Sequence, residues 1–143
     1  MTYDEWEATV DQAVKRDATW HVQAYRLGLY VADAAWTDCE RLAADPRAGS
    51  AAQQLLRAVG SIPANVAEGY AKRSAKDRIR YFEYALGSVG ETRAWYLTTA
   101  RAILPESVRD RCETLLSLTR LLLTMIRRER ERVGRRSTGR GES

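Results

Sequence analysis

The sequence predicts an all-α protein: an antiparallel up-down four-helix bundle with a short N-terminal helical extension. Two observations carry that prediction. Apolar residues recur at spacings of three and four over most of the chain, the signature of one-sided helices. Prolines number only three in 143 residues, so little interrupts those patterns. That length suits one ordinary domain with a sizeable core and no need of disulfides. The expected organisation is a single domain over residues 1–133, with its core at 19–133, and a disordered basic tail at 134–143.

Thr2 can cap a first short helix while Glu5 reaches back to it; Trp6, Val10 and Ala13 lie on one face. A longer helix over residues 19–44 directs Trp20, Ala24, Leu27, Val31, Ala34, Ala35 and Leu42 inward. Pro46 and Gly49 stop it firmly. The next helix runs over residues 50–72 and is expected to bend near Gly60 and Pro63, because Pro63 lacks the N–H that would bond back to Val59. Ser74 caps the third helix, with Asp77 favoured in its first turn by the helix dipole. Ile79, Phe82, Ala85, Leu86, Val89, Tyr96 and Ala100 form its inner face, before Leu104-Pro105 ends it. Pro105 suits the first turn of the fourth helix, which buries Val108, Cys112, Leu115, Leu118, Leu122 and Ile126. Short connections between long helices favour antiparallel neighbours.

Within the second helix, Ser61-Ile62-Pro63-Ala64-Asn65-Val66-Ala67-Glu68-Gly69 sets a proline and a polar stripe beside apolar positions. Ser61, Asn65 and Glu68 fall at i, i+4 and i+7, and Tyr84, Ser88 and Glu91 repeat the spacing on the third helix. The two stripes are expected to face each other as a buried polar network, with Arg57 between the acids, fixing register among similar helices. Catalysis through Glu68 and Glu91 would need a converging nucleophile, metal or further acid, and the sequence offers none. No catalytic residue, metal ligand or cofactor is assigned: His21 stands alone, and Cys39 and Cys112 read as separate buried thiols in a reducing cytoplasm. Gly87 and Gly90 are expected to admit a neighbouring helix closely. Met1 to Arg16 are acidic and amphipathic, unlike a signal peptide, and no apolar run spans a bilayer. A cytoplasmic protein is expected, with no membrane partner.

The run from Gln54 to Glu91 resembles the four-helix-bundle family of the ribosomal RNA intervening-sequence proteins, which includes the accessory variability proteins of diversity-generating retroelements. The residues that carry the resemblance are Leu56-Arg57-Ala58, Ser61 through Gly69, Arg73-Ser74, Ala85-Leu86-Gly87-Ser88 and Glu91. It extends more weakly over residues 20–130. The resemblance implies a bundle that assembles into a ring, often a pentamer. In the retroelement members it implies a basic barrel that binds nucleic acid and a reverse transcriptase.

The net charge of +4 is moderate, but its distribution is not. Lys72, Arg73, Lys76, Arg78 and Arg80 straddle the turn between the second and third helices. Arg127, Arg128, Arg130 and Arg132 extend the fourth helix towards Arg135, Arg136 and Arg140. Antiparallel packing puts both groups at one end, a candidate surface for RNA or DNA. Trp20, Trp36, Trp95, Tyr25, Tyr30, Tyr70, Tyr81 and Tyr96 are too many for one thin core, so some must lie outside and mark an interaction surface. Most are distant in sequence from the basic groups, which favours self-association over base stacking. The expected protein is a non-enzymatic homo-oligomer that binds nucleic acid as a ribonucleoprotein or reverse-transcriptase accessory factor. The alternative is a protein-interaction module whose charge serves solubility.

Overall fold

The computed structural model describes residues 1–139. Six α-helices and two short 3-10 turns account for nearly all of them: α1 Tyr3–Thr9, α2 Gln12–Lys15, α3 Gln23–Ala44, α4 Gly49–Tyr70, α5 Ala75–Thr98 and α6 Pro105–Gly139. Helix α3 packs on α4, α4 on α5, α5 on α6, and α6 closes the bundle more sparsely against α3. The core is built from the inner stripes of these four helices, including Val31, Leu42, Leu55, Ile62, Val66, Val89, Tyr96, Leu115, Leu118 and Leu122.

The ends follow their sequence signals. Thr2 and Glu5 form the reciprocal cap of α1, and the Ser74 hydroxyl accepts from the Asp77 N–H at the start of α5. Three boundaries differ from expectation. The N-terminal extension is two helices rather than one, because Val10 leaves helical geometry and Asp11 caps a new turn. Helix α3 begins at Gln23, after a separate 3-10 turn at Ala18–His21. Helix α6 continues to Gly139, so residues 134–139, assigned by the sequence to an unstructured tail, are helical. Arginine is a good helix former and no proline follows Pro105, so propagation past Val133 costs little. The rest of that expected tail, residues 140–143, lies outside the described residues.

The extension also absorbs part of the aromatic surplus. Trp6 packs with Trp20 and Tyr30 in a second apolar cluster on the outside of α3. The Tyr30 hydroxyl donates to the Met1 carbonyl at 3.0 Å, and Arg26 donates to the Tyr3 hydroxyl and the Trp20 carbonyl. Trp36, Tyr70 and Tyr84 stay exposed. Both cysteines are free; Cys39 is buried and Cys112, expected to be buried, is only partly so. Burial, reinforced by the neighbouring Asp38 charge, pushes the Cys39 thiol up to about 11. No described helix is long and apolar enough to cross a membrane.

Helix α4 is continuous through Pro63, which is buried. A Cβ on Gly28 of α3 would stand 3.2 Å from the Pro63 ring. The proline therefore fills a notch that glycine opens, and close packing of α3 on α4 offsets its lost hydrogen bond. Gly69 plays the same part against α5, where a Cβ would meet the Phe82 ring at 2.8 Å. Gly87 and Gly90 do not: nothing lies within 4 Å of an added Cβ at either, so the close approach expected there is absent within the described chain.

These contacts separate the glycines experimentally. Gly69→Ala should destabilise by about 1–3 kcal/mol, the usual cost of overpacking. Gly60→Ala, with nothing within 4 Å of the new methyl group, should stabilise by about 0.5–1 kcal/mol. Urea titration at one fixed protein concentration reads both signs.

Candidate nucleic-acid interface

The end of α4, the start of α5 and the C-terminal part of α6 meet at one pole, and Arg78 joins them. Its Nη1 donates to the Lys72 and Arg73 carbonyls at 3.0 and 2.8 Å, while Nη2 donates to the Glu129 carboxylate at 2.8 Å. A second bond, from Arg130 to Glu83 at 2.9 Å, ties α6 to α5 on the outer side. The two sequence-separated basic groups are thus brought together.

They are not equivalent. Arg78, assigned above to nucleic-acid binding, is half-buried and committed to backbone carbonyls and Glu129, so it builds the pole rather than presenting charge on it. Arg132 shares Glu129, at 3.2 Å, from a much more exposed position. Lys72 lies 3.0 Å from Glu68, whose hydrogen bond and charge hold the ammonium pKa above its usual value. Arg80 and Arg127 make only long pairs, with Asp77 at 3.8 Å and Glu131 at 3.9 Å. Such exposed pairs contribute at most about 1 kcal/mol, so phosphate can compete for them. Arg73, Lys76, Arg128, Arg135 and Arg136 are exposed and have no carboxylate within 4 Å among the described residues.

The expected buried polar network between α4 and α5 is corrected. Only Arg57 and Glu91 reach across, and both are partly exposed. The Ser61 hydroxyl donates to the Arg57 carbonyl at 2.8 Å, Asn65 Nδ2 to the Ser61 carbonyl at 2.9 Å, and Ser88 to the Tyr84 carbonyl at 3.1 Å. Each turns back on its own helix, as short polar side chains do when a local carbonyl is in reach. Glu68 is exposed beside Lys72, and the Tyr84 ring is exposed.

The network that does cross the bundle lies towards the opposite pole. Asp38 of α3, 2% exposed, accepts from the Tyr96 hydroxyl of α5 at 2.6 Å and from Arg111 Nε of α6 at 2.9 Å. Arg111 also donates to Asp110 at 2.7 Å. Burial and the Asp38 carboxylate raise the Tyr96 phenol pKa far above its usual value, so it stays a donor. For Arg111, burial disfavours the charge, but hydrogen bonds and attraction to Asp38 outweigh it and raise its pKa. The sequence did carry a signal. Asp38 sits in register with Val31, Ala35 and Leu42, and Glu129 with Leu122 and Ile126, so a charge at a core position marks each.

The described chain is thus an all-helical bundle with cations gathered at one pole. Among the described residues no cluster of His, Cys, Asp or Glu could hold a metal ion. The chain belongs to the family described as 23S rRNA-intervening sequence protein, whose model matches residues 23–126. The match begins at the first residue of α3 and leaves the N-terminal extension outside. A crystal structure of a protein of unknown function from the S23 ribosomal protein family of Bacteroides thetaiotaomicron shares the fold. Its TM-score is 0.67 at 24% identity, over 72% of this chain and 97% of that one. No curated protein matches the chain.

The two polar sets should respond differently to substitution. Asp38→Ala strands Arg111 and the Tyr96 hydroxyl and should cost about 3–5 kcal/mol, as for a broken buried ion pair. Asn65→Leu removes one local bond and should cost less than about 1.5 kcal/mol. Denaturant unfolding monitored by circular dichroism compares them.

Proposed function

We propose that this protein is a non-enzymatic, oligomeric nucleic-acid-binding protein that serves as an accessory factor to a ribonucleoprotein or a reverse transcriptase. The observation that most supports this reading is the set of five exposed cations at one pole without carboxylate partners among the described residues. Like charges held together repel one another, and a polyanion relieves that repulsion while releasing its condensed counterions. Family membership agrees with an RNA context, and resemblance to the retroelement proteins extends it to a reverse transcriptase.

Salt tests the proposal. Affinity for nucleic acid should fall with a log–log slope of about −0.9 per neutralised phosphate on duplex and about −0.7 on single strands. Arg73→Glu with Lys76→Glu should weaken every sequence together and make the slope shallower by about 1 per lost contact. Helicity should be unchanged, because neither residue makes an ion pair among the described residues. Binding unaffected by the double reversal, or absent in low salt for the parent, would favour the interaction-module reading.

Self-association belongs to the same proposal. Leu123 and Leu116 follow Arg130 at seven-residue intervals on α6, and Gly87, Gly90, Ala94 and Leu97 follow Glu83 on α5 at helical spacing. The Arg130–Glu83 bond puts these two stripes along one outer seam. Leu97, Leu116 and Leu123 are exposed there, and the glycines leave open recesses beside them. A second copy can set leucines into those recesses, and the resemblance points to a five-fold ring. Light scattering should give a multiple of the 16.2 kDa chain mass, and Leu116→Glu with Leu123→Glu should reduce it to the monomer. A parent that already runs as a monomer refutes this part.

A further inference from the structure

The basic pole is not only cationic. Between the end of α4, the start of α3 and the last turns of α6 lies a cavity of roughly 440 Å³. Its apolar lining includes Phe82 and Met125, Tyr70 contributes an aromatic ring, and Arg128 and Arg132 bring guanidinium groups beside Glu129. Tyr70 ends α4 and is 46% exposed. A second cavity, of roughly 280 Å³, shares Arg78 and Arg132 with the first and adds Arg135 and Arg136. An aromatic recess therefore opens beside an arginine-lined one, with Arg132 between them.

A further aromatic station flanks the same turn. The Tyr81 ring has Lys72 Nζ 5.1 Å and the Arg80 guanidinium carbon 5.3 Å from its centroid. Tyr84 meets Tyr81 edge-on at 5.6 Å and is itself exposed. Tyr70 and Tyr81 flank the Lys72–Arg80 group in sequence and are interleaved with its cations in space.

Resting on the nucleic-acid reading above, we propose that the pole takes single-stranded nucleic acid, with one unpaired base stacked on Tyr70 in the larger cavity and its flanking phosphates held by Arg128, Arg132 and the arginines beyond. A duplex offers only its phosphates to such a surface, because its bases are already stacked on one another. An unpaired base has a free face, and both a tyrosine ring and a guanidinium plane can cover it. The larger cavity falls within the roughly 300–1,000 Å³ of small-ligand clefts. Glu129 does not forbid an anion, since Arg78 and Arg132 both bond to it. No set of side chains is arranged to read base edges, so the site selects strandedness and not sequence. Of the two macromolecular states, the aromatic recess favours the single strand.

The test compares the full chain and its Tyr70→Ala and Tyr70→Phe variants by fluorescence anisotropy. Probes are oligo(dT), oligo(U), an abasic strand and a duplex, all of one length and at one salt concentration. Tyr70 makes no side-chain hydrogen bond or ion pair among the described residues, and circular dichroism checks that the variants keep their helices. Tyr70→Ala should weaken oligo(dT) or oligo(U) about 5- to 100-fold, the usual effect of removing one base–aromatic stack. Duplex and abasic binding should stay within about twofold, and Tyr70→Phe should bind like the parent. Equal losses on duplex and single strand, or no loss on either, overturn the stacking proposal while leaving nucleic-acid binding intact. A parent that binds none of the four probes in low salt overturns the functional reading itself, and this proposal with it.

Discussion

The Arg78 guanidinium is the constraint on which the basic pole depends. It closes the carbonyls at the α4–α5 turn and bonds to Glu129 of α6, so one side chain joins three elements. Carbonyls left unpaired in a turn need donors, and arginine supplies several from a planar fork. With the Arg130–Glu83 bond, that tie holds the C-terminal stretch of α6 beside α5, where most of its last turns are exposed. The outward arginines owe their common location to an inward one.

The opposite pole uses the same device in a deeper setting. Asp38, Tyr96 and Arg111 link α3, α5 and α6 beside the apolar core. Replacing such a group wholesale by packed hydrocarbon is often neutral or stabilising, so its value is geometric more than energetic. Apolar stripes of alanine, leucine and valine can slide past one another by a turn at small cost. A carboxylate that must meet both a phenol and a guanidinium cannot. The sparse α3–α6 seam, where hydrocarbon contact is thinnest, is where such a bond specifies most.

Between these poles the glycines fall into two kinds. Gly28 and Gly69 are consumed within the chain, against Pro63 and Phe82. Gly87 and Gly90 face open space beside exposed leucines, so a requirement for small residues there has no source inside one bundle.

By itself the sequence determined the helices, their caps and their antiparallel order, because each depends on residues within a few positions of one another. Thr2 with Glu5, Ser74 with Asp77, and Pro105 are local signals, and the apolar spacing marks a buried face without reference to its partner. Sequence order also sufficed to bring Lys72–Arg80 near Arg127–Arg132, since short turns leave antiparallel helices one arrangement. Tertiary structure alone decided what those side chains do. Arg78 and Arg128 look alike in the sequence, yet one closes the α4–α5 turn and the other is exposed, because only one has Glu129 and two carbonyls within reach. Ser61, Asn65 and Ser88 matched the spacing of a buried network and turned back on their own helices' carbonyls, which lie within reach of short polar side chains. Tyr70 and Tyr81 already flank Lys72–Arg80 in the sequence, but Tyr70 shares a cavity with Arg128 and Arg132 only because α6 returns to the same pole, and spacing along one helix carries no record of that.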